Sequence, residues 1–268
     1  MQNKGEKPSL LSLLLNRWSK YNFVFEELVK RDFKKRYKRT YLGIAWSMLG
    51  PLLHLAVMVL VFTHFFGNDI PHFIVYVFSG LKIYSFFSES TNQGMTSLLA
   101  NGGIMTKVKV PKYLFLLSQN VASLINFVLM LVIFFLFVAI DGVPFTWRFI
   151  LLIYPIFTLM LFNIGVGLVL SALFVFFKDI QYLYSIFTML LMWLSAIFYS
   201  VDTFPTVIQR LFLLNPIFTH IHYFRLVVLH GVTPAWHIHL ICALAAAVSL
   251  SVGALFYKRF NHRFIYYM

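Results

Sequence analysis

The chain has 268 residues, of which 60% are hydrophobic and 12% charged, and its mean hydropathy is +0.80. A soluble domain carries about 25% charged residues, so an ordinary soluble protein is excluded and the sequence reads as an integral membrane protein. The net charge of +13 would suggest nucleic acid in a soluble chain, but here 22 Lys and Arg against 9 Asp and Glu must be placed relative to a bilayer.

Residues 1–42 are charged throughout and contain no extended apolar run, so no cleavable signal peptide is expected. Within them, 21–42 reads as an amphipathic helix lying on the cytoplasmic membrane surface. Phe25, Val29, Phe33 and Tyr37 recur every four residues, and seven of the ten residues from 30 to 39 are basic. Each of those bases gains about 1 kcal/mol against anionic lipid. Plain anchoring explains the pattern; contact with a cytoplasmic partner or a substrate headgroup would produce the same one.

Six apolar runs follow, each compatible with a crossing of a core about 30 Å thick. The first covers 43–66, opened by Trp46 and closed by Gly67, Asn68 and Asp69. The second covers 71–88 and contains Lys82, whose stem can bury while its ammonium reaches the headgroups. The third and fourth, 113–140 and 149–177, hold no charge and are joined by a turn containing Asp141, Gly142 and Pro144. Lys178 and Asp179 connect to a fifth run, 180–201, and the sixth is 236–257, before a cytoplasmic tail at 258–268. Between the last two runs, Asp202 or Thr203 can cap one short helix with Pro205 in its first turn. Asn215 and Pro216 open a second that stops at Gly231. Neither is long enough to span, so a re-entrant or interfacial hairpin outside the cell is expected.

Eighteen Lys and Arg lie on the side of the termini and three, Arg148, Arg210 and Arg225, on the other, with Lys82 set aside. Basic residues resist translocation, so both termini are expected in the cytoplasm.

The chemistry the chain lacks narrows its function. Only Glu89 among the acids sits near a run, so the intramembrane carboxylates that ion-driven carriers use for coupling are missing. No Gly-x-x-x-x-Gly-Lys-Ser/Thr loop occurs, so ATP and Mg are expected on a separate subunit, with no cofactor in this chain. His220, His222, His230, His237 and His239 fall in or near the hairpin. On a helix, residues two apart point about 200° from each other, so neither His-x-His pair makes a metal site. Cys242 has no partner, and catalytic pairs of acids cannot be assembled. Fifty aromatics include Tyr182, Tyr184, Phe187, Trp193, Phe198 and Tyr199 in the fifth run, a candidate sliding surface for sugar rings along a translocation path. Lipid contact and helix packing explain any one of them equally well.

Short motifs recur in an order that resembles a known family. They are Arg36-Tyr37, Leu42-Gly43, Trp46, Pro51, Val110-Pro111, Phe176-Phe177-Lys178-Asp179-Ile180, Ser195-Ala196-Ile197-Phe198-Tyr199, Asn215-Pro216 and Phe224-Arg225. Over about residues 28–260 the sequence is similar to the membrane subunits of type-2 ABC exporters that move lipid-linked O-antigen, capsule and teichoic-acid polymers. It departs from them at Lys178, where the family commonly has Arg, and at Ala196, where it commonly has Pro, so a kink there is not assumed. The resemblance implies an all-α homodimer of six-span subunits with two P-loop ATPase subunits on the cytoplasmic face. It places a coupling helix at about 91–112, with Lys107, Lys109 and Pro111, and an external gate in the hairpin, with Pro205, Asn215, Pro216 and Arg225. Arg31, Lys34, Arg36 and Arg39 would meet the lipid-pyrophosphate end of a glycan or polyol-phosphate substrate. Arg225 is expected to face a watery vestibule, to pair with a polar group such as Asp202, or to sit at headgroup level. A type-2 exporter of a small drug or lipid shares this plan, and a lipid-modifying enzyme is the more distant alternative.

Overall fold

The computed structural model describes residues 10–37, 45–65, 70–105, 107–108, 110–264 and 267. Among the described residues there is no strand, and ten α-helices account for most of the chain. They are α1 (Leu10–Tyr37), α2 (Ala45–Phe65), α3 (Phe73–Ala100), α4 (Gly102–Met105) and α5 (Tyr113–Ile140). After a 3₁₀ turn at Trp147–Leu152 come α6 (Ile153–Phe176), α7 (Ile180–Leu194), α8 (Thr206–Phe212), α9 (Pro216–Val228) and α10 (Trp236–Phe260). Three of them, α5, α6 with its 3₁₀ turn, and α10, are long and apolar enough to cross a membrane. The short helices α8 and α9 meet at 105°.

Local chemistry sets several of these boundaries. Helix α5 is 28 residues without a charge, about 42 Å at helical rise, and it ends at Asp141 and the left-handed Gly142 at φ 74°. Pro216 occupies the first turn of α9, and the Asn215 side chain accepts from the backbone N–H groups of Ile217 and Phe218 at 3.0 and 3.4 Å. Lys258 and Arg259 close α10, where the helix dipole favours cations.

Helix α3 sits at the centre, packed on α5 and α6, while α6 pairs along its length with α10. The α6–α10 contact depends on glycine. A Cβ on Gly165 would lie 2.3 Å from Ser249, and one on Gly253 would lie 2.4 Å from the Gly165 carbonyl, so neither helix tolerates a side chain at the crossing. Around the first residues of α3 the main core is aromatic. Phe134 makes edge-on contacts with both Phe78 and Phe224, each at a centroid separation of 5.5 Å.

Four boundaries differ from the sequence reading. The second apolar run does not stop at 88, because α3 continues to Ala100; Ser90, Thr91, Ser97 and Leu98 are buried against α5 and α6. Its polar side chains find partners on the neighbour: Ser90 donates to Asn120, and Ser123 donates to Gln93 at 3.2 Å. The expected coupling segment at 91–112 therefore begins inside α3, leaving α4 and the loop after it. The fifth run ends as a helix at Leu194 instead of 201, and Ala196 adopts a left-handed φ of 48°. Pro205 precedes α8 in an extended conformation instead of lying in its first turn, and no side chain caps that helix, since Asp202 accepts from Ser200 instead. Helix α1 starts well before 21, and it seats Tyr21, Val24, Phe25 and Leu28 on Leu114 and Phe115 of α5. That face is rotated from the expected Phe25, Val29, Phe33 and Tyr37 stripe, because buried Asp32 pulls the helix round toward α5.

Candidate functional site

Successive long helices run in opposite senses, so the chain has a hairpin end, with α8 and α9, and an opposite end carrying α1, α4 and the last turn of α10. Expected site residues fall at both.

At the hairpin end, Arg225 is 5% exposed and stacks on the Tyr76 ring at 3.4 Å. Its guanidinium donates to the carbonyls of Ala196 at 2.8 Å, Ile197 at 2.9 Å and Tyr76 at 3.2 Å. Leu194 ends α7, so the carbonyls after it have no helical partners, and Arg225 supplies donors to two of them. Asp202 is no direct partner of Arg225; its carboxylate accepts from the Ser200 hydroxyl at 2.7 Å. Asn215 joins the same knot by donating to the Leu194 carbonyl and the Ser195 hydroxyl, both at 3.1 Å. Asn215 and Arg225 therefore converge on the break after α7, Pro216 opens α9 beside Asn215, and Pro205 lies exposed at the start of α8.

Beside this knot opens a cavity of about 610 Å³ whose wall includes Tyr76, Asp202, Arg210, His222, Arg225 and His230. It differs in kind from the cleft of about 650 Å³ between α2 and α3, which is lined by Leu52, Leu55, Ala56, Val59, Ile74 and Phe137 and other apolar side chains. The histidines do not cluster. His220 is enclosed between Thr158 at 3.1 Å and the Pro216 carbonyl at 2.6 Å, and His239 meets the Tyr223 hydroxyl at 2.9 Å. No group of three metal-binding side chains occurs among the described residues.

The six aromatics of the fifth run do not share a face. Tyr182, Phe187 and Trp193 are exposed, but Tyr184 is buried and donates to Thr91 at 2.6 Å, and Phe198 is buried beyond the helix end. Tyr199 lies beyond it too, half-buried, donating to the Trp193 carbonyl at 2.7 Å. Residues 182 and 184 point about 200° apart on one helix, which separates them.

At the opposite end, Arg31 is engaged by Asp32, its Nε at 2.9 Å and Nη2 at 2.6 Å from Oδ1, while Ser118 donates to Oδ2 at 2.7 Å. Of the expected headgroup contacts, Arg31 is thus tied to the buried Asp32 while its own side chain stays 36% exposed, and Lys34 is exposed. The Arg36 side chain and Arg39 lie outside the described residues. Nearby, Lys30 and Glu27 pair at 2.8 Å; the Lys30 hydrogen bond and charge hold the Glu27 carboxyl below its ordinary value and raise Lys30 in turn.

Lys107 is exposed after α4, Pro111 precedes α5, and Lys109 lies outside the described residues. A residue the sequence reading counted only as charge, Lys112, has the more specific role. Its ammonium donates to the Asn261 carbonyl at 2.6 Å and lies 5.5 Å from the Phe264 ring, and burial lowers its pKa. Phe264 is fully buried between Tyr257 and Phe176. The only sequence signal for that clamp was an aromatic residue within a basic tail.

The fold and these two ends are those of a multi-pass membrane transport protein. Residues 24–229 match the family described as "ABC-2 type transporter", and the chain belongs to that family. It is 30% identical over 190 residues to the O-antigen export system permease protein RfbA of Myxococcus xanthus, covering 71% of this chain and 73% of that one. A Klebsiella pneumoniae O-antigen export permease RfbA is 26% identical over 254 residues, 91% of this chain and 96% of the relative. The polysialic acid transport protein KpsM of Escherichia coli is 22% identical over 236 residues, 87% and 92% of the two chains.

Proposed function

We propose that this chain is the permease subunit of an ATP-driven exporter that carries a lipid-linked polysaccharide across the bacterial plasma membrane, ATP hydrolysis residing in a separate subunit. The observation that carries the reading is similarity to O-antigen and polysialic acid export proteins over about nine-tenths of the chain. Those relatives favour polysaccharide over a polyol-phosphate polymer, a drug or a lipid as cargo, and a transport role over a lipid-modifying enzyme.

The working assembly is a homodimer with two P-loop ATPase subunits that bind ATP and Mg. Each subunit has a cytoplasmic segment 1–42, six spans within 43–257 formed by α2, α3, α5, α6, α7 and α10, and a cytoplasmic tail 258–268. Two features support the dimer: α2 exposes Leu49, Leu53, Val57 and Leu60, and α7 exposes Tyr182, Ile186, Met189 and Trp193. Apolar faces of this breadth suit lipid or a second copy. In this assembly α8 and α9 form a re-entrant external gate, Lys107, Lys109 and Pro111 meet the ATPase, Lys34, Arg36 and Arg39 attend the lipid-pyrophosphate, and outward Tyr182, Phe187 and Trp193 offer the conduit surface.

Deleting the permease should remove the surface polymer and leave lipid-linked glycan in the cytoplasm, with restoration by the wild-type chain. In the same cells, cysteines at positions 68, 141 and 206 should label from outside, and those at 107 and 263 only after permeabilisation. Normal polymer display without the permease would overturn the function; external labelling at 107 would overturn the topology.

A further inference from the structure

The polar cavity beside Arg225 has unused binding capacity. Among the described residues, the side chains of Arg210 of α8, His222 of α9 and His230 after it have no hydrogen-bond or ion-pair partner, yet all three line the same space of about 610 Å³. The volume falls within the range of about 300–1,000 Å³ typical of small-molecule sites. Arg225 contributes a further positive charge that cannot leave, because three backbone carbonyls hold it. The carboxylate in the wall, Asp202, is occupied by Ser200 at 2.7 Å. Gln209 ties the segment together by donating to the carbonyls of Asp202 at 3.3 Å and Phe204 at 2.9 Å, which fixes the turn of α8 that carries Arg210.

These observations define a ligand. An unpaired guanidinium asks for a carboxylate or phosphate, which it can grip with two parallel hydrogen bonds. Two imidazoles and the free Gln209 oxygen suit hydroxyls, since each can donate to or accept from them. Apolar patches between these groups, from Leu213, Leu226 and Val232, match the C–H faces of a pyranose ring. A bare phosphate would leave most of the cavity unused, and a neutral sugar would leave Arg210 without a counter-charge.

We propose that this cavity binds one acidic sugar unit, a pyranose bearing a carboxylate or phosphate, of the polymer passing the hairpin. The proposal rests on the polysaccharide-export reading and specifies the substrate class. It makes Arg210 a specificity residue separate from Arg225, whose guanidinium is engaged in holding the fold.

The test uses the permease–ATPase complex in phosphatidylcholine nanodiscs, titrated with methyl glucuronoside, glucose 1-phosphate, methyl glucoside and inorganic phosphate. The two acidic sugars should bind at least about tenfold more tightly than methyl glucoside, the share of one charge-assisted pair. Arg210→Gln should erase that preference without moving the melting temperature, because Arg210 is exposed and supports nothing else. His222→Gln, which keeps a donor and an acceptor, should weaken acidic and neutral sugars alike.

Equal affinity for acidic and neutral sugars would overturn the proposal, as would an unchanged preference in Arg210→Gln. Inorganic phosphate binding as tightly as glucose 1-phosphate would make this a simple anion site and overturn it too. So would loss of sugar binding on adding phosphatidylglycerol to the nanodisc, which would assign the cavity to a lipid headgroup. Polymer display in the permease-deletion strain is scored separately. Display lost in that strain with no acid preference in the nanodisc sinks the cavity alone, whereas display retained sinks the export reading even if acidic sugars bind.

Discussion

Replacing Arg225 with Met keeps much of the side-chain volume and removes the charge and all five N–H donors. The Tyr76 carbonyl is not orphaned, because Ser79 still donates to it at 2.8 Å. The carbonyls of Ala196 and Ile197 lose the donor that Arg225 gives them, at a cost of about 1–3 kcal/mol each when buried. The Tyr76 stack adds about 1–2 kcal/mol, and release of the buried cation returns a few kcal/mol. The net loss is about 3 kcal/mol. At about 2–4 °C per kcal/mol for a chain of this size, the purified permease should melt about 6–12 °C lower. Arg225→Lys retains the charge without the planar fork and should recover about half of that. Fluorescence-detected thermal melting of all three proteins in one detergent is the assay. An Arg225→Met protein melting within about 2 °C of wild type would show that the break after α7 holds itself together and that the guanidinium is incidental.

Asp32→Ala removes the Ser118 donation that ties α1 to α5, a hydrogen bond to a charged group worth about 1.5–3 kcal/mol, so α1 should loosen on α5. Hydrogen exchange over 21–35 should accelerate while that of 120–138 stays put. Phe264→Ala empties a fully buried site, for which Phe-to-Ala changes cost about 3–5 kcal/mol, and should free the turn after α10. Trypsin would then cleave after Arg259 and Arg263 much faster than in wild type, and an unchanged digestion pattern would refute the clamp. Glu89→Gln should leave ATP-driven export at about the wild-type rate; a loss of export with ATP hydrolysis intact would give Glu89 a transport role.

How much of this was legible beforehand differs from helix to helix, for physical reasons. The limits of α5 match the reading because Lys112 and the Asp141-Gly142 turn bracket an uncharged run, and no distant partner is needed to stop it. The α9 start was equally plain from Asn215 and Pro216. Helix α3 ran past the expected end of its span because residues 88–97 are mostly polar, and the reading gave 91 onward to a separate coupling helix. Their partners, Asn120 and Ser123, are thirty residues away, so hydropathy along the chain cannot register them. Helix α7 stopped short for the opposite reason: its flanking residues are apolar, and the donors that take its freed carbonyls come from Arg225. Arg31 and Asp32 read as part of a basic face, and only the approach of Ser118 shows that the carboxylate is buried on α5 while Arg31 stays partly exposed.

The same geometry bears on what drives transport. Glu89, placed by hydropathy at the rim of a span, lies well inside the continuous α3. It accepts hydrogen bonds from Gln93 at 3.4 Å and Asn126 at 3.3 Å, and the buried Lys82 stands two turns away on the same helix. A carboxylate that shuttles ions must alternate between charged and neutral forms and between two exposures. The amide donors of Gln93 and Asn126 instead pin the Glu89 side chain between α3 and α5. Glu89 thus acts as a fastener between two helices. In the proposed assembly the energy for export reaches the membrane helices from the separate ATPase subunit. At the end of the molecule that the proposed assembly turns toward the ATPase, α4 and its loop lead to Lys112, Lys112 holds Asn261, and Phe264 beside it packs on Phe176 at the last turn of α6. In that assembly a push on the loop would be felt by α5, α6 and α10 together, the last two being in close contact at Gly165 and Gly253.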